Sequence, residues 1–108
     1  MSKLTFTEAL QALAEDRPLR AVEVSARALQ CYVWVQSNGL PGCLSDNYGV
    51  YTSKRDAVAE CLLMADIGEG APRGLLAQLR RPGHTVAASV DGYVYRVQRH
   101  RLADLLLA

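Results

Sequence analysis

Hydrophobic residues open the chain at helical spacing. Phe6, Ala9, Leu10, Leu13 and Ala14 recur every three or four positions, so they line one side of a helix. Thr5 and Glu8 bracket its first turn as a capping box, in which each side chain satisfies a backbone N–H of the other. Pro18 forbids continuation, which predicts an end near Asp16. The period then changes to two. Val22, Val24, Ala26 and Ala28 alternate with Glu23, Ser25 and Arg27, the pattern of a strand with one wet face, with a short helical turn near residues 25–30 as the alternative. The run Cys31-Tyr32-Val33-Trp34-Val35 is apolar on both faces and reads as an interior strand.

Turn-forming residues dominate positions 37–47, which predicts a long loop before a strand over 48–52. Ser53 is placed to cap a second helix, with Asp56 in the position usually held by Glu. Ala57, Val58, Cys61, Leu62, Met64 and Ala65 supply its apolar face, and Gly68-Glu69-Gly70 ends it. Pro72 suits the first turn of a third helix carrying Leu75, Leu76 and Leu79. Arg80 and Arg81 fall at its C-terminal end, where positive charge is favoured by the dipole.

The sharpest signal lies at Asp91-Gly92, between two β-rich runs. A two-residue type I′ turn needs positive φ at both positions, and this pair accepts it. That turn fixes a register: Val90 faces Tyr93, Ala88 faces Tyr95, Val86 faces Val97, and His84 comes opposite Arg99. The six paired apolar residues form a core face, leaving Thr85, Ala87, Ser89, Val94, Arg96 and Gln98 on a mixed face. Leu102, Leu105 and Leu106 resemble the inner side of a closing helix. The element order predicts an α+β fold, a four- or five-stranded antiparallel sheet with three to four helices packed mainly on one face.

A length of 108 residues fits one compact domain, residues 1–108. Half the residues are apolar and 21% are charged, a globular composition. No apolar run exceeds five residues and the N-terminus has no apolar signal core, so neither a membrane span nor a leader is expected. Three widely spaced cysteines do not suggest a disulfide framework, which makes a reducing, cytoplasmic setting the expectation.

The net charge of +1 conceals a polarity. Residues 1–70 hold six basic residues against nine acids, and residues 71–108 hold six against two. Ten of the twelve basic side chains are arginine, whose planar fork suits bidentate contacts. Arg80, Arg81, Arg96, Arg99 and Arg101 are therefore the candidate contacts to an acidic protein or nucleoprotein. Leu40 and Leu44 join them as apolar anchors in the predicted loop.

Other chemistries have weaker support. Cys31, Cys43, Cys61, His84 and His100 never fall at zinc-ligand spacing, so no metal is expected. No phosphate-loop or dinucleotide motif is present and no cofactor is expected. Cys43 in the loop would be the nucleophile of a cysteine enzyme, but nothing in the spacing brings a histidine to it. Nucleic-acid binding through the arginine-bearing hairpin edge is the main alternative, with a salt slope of roughly −4 to −5 for five phosphate contacts. The pairing places Tyr93 and Tyr95 on the apolar face and Arg96 on the other, which separates stacking groups from cations. The expected function is that of a small non-enzymatic binding protein. A mobile-element or phage inhibitor of a host complex fits that size, and a helical closing tail at residues 105–108 fits burial in a homodimer.

Overall fold

The computed structural model describes residues 2–40, 43–44, 49–66, 74–90 and 92–107. The fold is α+β, with an antiparallel sheet. Its elements run α1 (Phe6–Ala14), a 3-10 turn (Ala21–Glu23), α2 (Ala26–Leu29), β1 (Tyr32–Leu40), β2 (Cys43–Leu44), β3 (Gly49–Tyr51), α3 (Lys54–Asp66), α4 (Leu75–Leu79), β4 (Thr85–Val90), β5 (Tyr93–Arg101) and a 3-10 turn (Leu102–Leu105). Two compact units result: Met1–Val33 with His100–Ala108, and Trp34–Arg99.

The first unit is built on local caps. Thr5 donates its N–H to Glu8 Oε1 at 2.9 Å, and Glu8 N–H donates to Thr5 Oγ1 at 3.2 Å, closing the predicted box. The helix so started buries Ala9 and Ala12 beside Leu19, Val24, Ala28 and Leu102. Residues 22–28 are not a strand, and the alternative of a short helical turn over 25–30 is the one found, as α2 behind the Ser25 cap. Arg20 N–H donates to Glu23 Oε2 at 2.9 Å, and Ala28 N–H donates to Ser25 Oγ at 3.2 Å. Each bond closes a local turn, so side-chain capping overrides the alternating pattern. The closing segment is likewise a single 3-10 turn, with Leu102 fully buried and its N–H bonded to Cys31 C=O at 2.8 Å.

Replacing Thr5 with alanine is expected to cost about 1 kcal/mol, the usual worth of an N-cap, read by urea denaturation. The bond from the Thr5 backbone N–H, then the one to its hydroxyl, lowers the Glu8 carboxyl below its ordinary 4.5. A depressed carboxyl stabilises the fold above its unfolded value, so this contribution is lost as pH falls below 4.5.

The second unit holds the sheet, in the order β2-β1-β5-β4, with β3 also on β1. The β4–β5 register is the one dictated by Asp91-Gly92: Val90↔Tyr93, Ala88↔Tyr95, Val86↔Val97 and Thr85↔Gln98. Gly92 has φ 85°, a conformation that glycine adopts without strain. Asp91 itself lies outside the described residues. Val86, Ala88, Tyr95 and Val97 are buried on one face, as expected. Tyr93 is not core. It is 48% exposed, because it stands at the end of the hairpin. The side chain of Val90 lies outside the description.

β1 runs further than expected, through four residues assigned to the loop. Gly39 and Leu40 pair with Leu44 and Cys43, so the 37–47 stretch contains a strand end and its return. β1 is interior, and Val33 is fully buried, although Tyr32 is exposed. Trp34, Val35 and Gln36 continue the sheet to Tyr51, Val50 and Gly49 of β3.

One face of this sheet is covered by α3 and α4. Ala57, Val58 and Cys61 of α3 and Leu75 and Leu79 of α4 share a core with Val86, Ala88, Tyr95 and Val97. Ser53 Oγ caps α3 by accepting from Asp56 N–H at 3.2 Å. α4 starts at Leu75, after Gly74 in the left-handed region at φ 84°; Pro72 lies outside the described residues. Among the described residues no helix is long and apolar enough to cross a membrane.

Candidate interaction groove on the second unit

α3 and α4 contact each other and pack on the same sheet. Between them lies an open groove of about 450 Å³, lined by Lys54, Arg55, Val58, Ala59, Leu62, Leu76 and Arg80. Helical spacing explains the composition. Residues 54, 55, 58, 59 and 62 fall on one side of α3, and Leu76 and Arg80 stand one turn apart on α4. Among the described residues the lining combines apolar side chains, Val58, Ala59, Leu62 and Leu76, with the cations Lys54, Arg55 and Arg80, and includes no carboxylate. Leu63, one turn beyond Ala59, is 58% exposed and extends the apolar surface along α3.

The three cations differ in freedom. Lys54 Nζ donates to the carbonyls of Arg81 and Gly83, which ties the start of α3 to the end of α4. The same ammonium lies 5.7 Å from the Trp34 ring centroid, within cation–π range. Lys54 is therefore a strut as well as a rim charge. Arg55 and Arg80 are exposed where they line the groove.

The arginines singled out in the sequence are distributed over different surroundings. Arg80 lines the groove and Arg81 follows it, exposed, with its carbonyl held by Lys54. Arg99 sits opposite His84, as the register requires: its N–H donates to His84 C=O at 2.7 Å, and its Nη2 lies 3.2 Å from His84 Nδ1. His84 in turn meets Trp34 edge-on at 6.4 Å. Arg96 pairs with Ala87 and is half-buried. Arg101 belongs to the first unit, where its guanidinium donates to Gln30 Oε1 at 2.9 Å and stacks 5.6 Å from the Tyr32 ring. Leu40 ends β1 and Leu44 ends β2; their side chains lie outside the description, as does that of Cys43.

Sequence reasoning missed Lys54, Arg55, Val58, Ala59, Leu62 and Leu76 as site residues. The available signal was Lys54-Arg55 one helical turn before Val58-Ala59 and two before Leu62-Leu63. That puts a charged pair at the head of an apolar row.

The thiol of Cys61 is the clearest perturbed group. Burial pushes it up to about 12, Glu60 adds repulsion, and a hydrogen bond from Gln36 opposes both. A group raised on folding stabilises the native state below its unfolded value, 9, and loses that contribution as pH rises toward 12. Stability should therefore fall more steeply above pH 9 in the native sequence than in Cys61→Ala, when unfolding free energy is followed against pH. A thiol reagent at neutral pH should leave Cys61 unlabelled until the chain unfolds. Among the described residues no group of three or more His, Cys, Asp or Glu side chains is placed to hold a metal. No known protein family, curated protein or solved structure matches the chain.

Proposed function

We propose that this chain is a binding protein that receives an acidic, amphipathic helix of a protein partner in the α3–α4 groove. The observation that carries this reading is the pairing of an apolar floor (Val58, Ala59, Leu62 and Leu76) with the cations Lys54, Arg55 and Arg80. Apolar floor area supplies the driving force of helix-in-groove recognition, and rim cations select carboxylates and speed encounter. A phosphate backbone has no use for such a floor, and of the hairpin tyrosines Tyr95 is buried, which leaves only Tyr93 as an exposed ring for stacking. These features favour a protein partner over nucleic acid. Blocking a host complex through such a helix would fit a small inhibitor of mobile-element or phage origin.

The test uses a fluorescent peptide with leucines at helical spacing and flanking glutamates, titrated by anisotropy. Native protein is expected to bind it, and Arg55→Glu with Arg80→Glu to weaken it strongly. Binding that is indifferent to both reversals contradicts the groove. A duplex DNA of equal charge that binds more tightly than the peptide contradicts the choice of partner.

A further inference from the structure

We propose that β4 is a self-pairing edge, through which two copies of this chain join their sheets in antiparallel register about Ala87. β4 closes one end of the strand order, so among the described residues its outer side carries no strand. The bond from Arg99 N–H to His84 C=O identifies His84 as a hydrogen-bonded pair, and the alternation of antiparallel pairing then turns residues 86, 88 and 90 toward β5. The N–H and C=O groups of Thr85, Ala87 and Ser89 consequently face outward. Among the described residues no backbone hydrogen bond reaches these three from outside the hairpin, and all three residues are exposed.

Edge strands are ordinarily blunted by charge, proline or a bulge. Thr85-Val86-Ala87-Ala88-Ser89-Val90 contains no charge and no proline, and its register to β5 runs without a bulge. The opposite edge of the sheet is divided between β2 and β3, of two and three residues. β4 is thus the long, unprotected edge.

Its sequence fits a second copy. Antiparallel pairing about Ala87 sets Ala87 against itself and Thr85 against Ser89, a pair of hydroxyl side chains that can bond across strands. Every outward N–H and C=O of the three residues then finds a partner. Charges stay apart. Arg99, opposite His84, lies three positions from the centre, so the two Arg99 side chains stand about 20 Å or more from one another, and two Arg96 side chains about 14 Å. Both distances exceed the Debye length of about 8 Å at physiological salt.

Sedimentation analysis over a concentration series tests the proposal. The native protein is expected to pass from monomer to dimer. Ala87→Pro removes an outward donor that the monomer does not use, twice per dimer, and should raise the dimer dissociation constant about thirtyfold. Ala87→Lys, which keeps the backbone intact and sets like charges opposite one another, should also weaken the dimer while circular dichroism stays unchanged. A native chain that remains monomeric throughout, leaving the edge to an extended segment of another protein, overturns the proposal. So does a dimer that well-folded Ala87→Lys leaves intact.

Discussion

Replacing Leu79 with alanine is expected to cost about 2–5 kcal/mol, the range for truncating a fully buried leucine. Leu79 has no exposed surface and shares the core of the second unit with α3, β4 and β5. The loss has two parts: the transfer energy of the removed methyl groups and the void they leave in packed surroundings. Domains of this size are stable by about 5–15 kcal/mol, so this one change removes a large share. A melting point lower by at least about 8 °C follows. The control is Leu63→Ala on α3. Leu63 is 58% exposed, and its truncation should change stability by less than about 0.5 kcal/mol. Equal effects from the two leucines would contradict the assignment of α4 as the clamp over the hairpin.

The second large effect is on binding. Arg55 and Arg80 are exposed, so each contributes modestly as a rim charge, about 0.5–1 kcal/mol against a carboxylate. Reversal replaces that attraction by a comparable repulsion, which doubles the change. Arg55→Glu and Arg80→Glu should each weaken an acidic helix about tenfold, and together about a hundredfold, provided they act independently. Stability should hardly change, since neither guanidinium has a described carboxylate partner within the fold. Raising the salt should erode the difference between native and reversed proteins, because the charges are solvent-screened. Lys54 behaves otherwise. Its bonds to the Arg81 and Gly83 carbonyls hold the end of α4 to the start of α3. Lys54→Ala therefore alters groove shape together with one rim charge.

The hairpin was legible from its residues because one turn sets everything after it. Asp91-Gly92 fixes the register, the register fixes the faces, and the faces place His84 against Arg99. The α1 and α3 caps were legible for the same kind of reason: Thr5 and Ser53 each act within three residues. Residues 22–28 were misleading because their alternation is an average over a window, whereas Glu23 and Ser25 act on single backbone N–H groups. The 37–47 segment was misleading because glycine, asparagine and serine punctuate loops but also tolerate short edge pairing. Tyr93 shows the limit of assigning faces by parity, since a residue on the core side still meets solvent at the end of a hairpin.

The groove was only half legible. Arg80 and Arg81 stood out as a pair at the end of their helix, yet nothing along the chain points to what lies across from them. Their neighbours across the groove come from α3, some twenty residues earlier, and only packing of both helices on the sheet brings the two sets together. Likewise Arg96, Arg99 and Arg101 form one cluster along the chain. In the fold they meet Ala87, His84 and Gln30, three different surroundings.

The most direct measurement is a residue-resolved NMR titration of the isotope-labelled protein with the glutamate-flanked leucine helix. Binding in the groove predicts shifts concentrated at Arg55, Val58, Ala59, Leu62, Leu76 and Arg80, abolished by Arg55→Glu with Arg80→Glu. Shifts centred instead on Arg96 and Arg99, or no shifts at all, would contradict it.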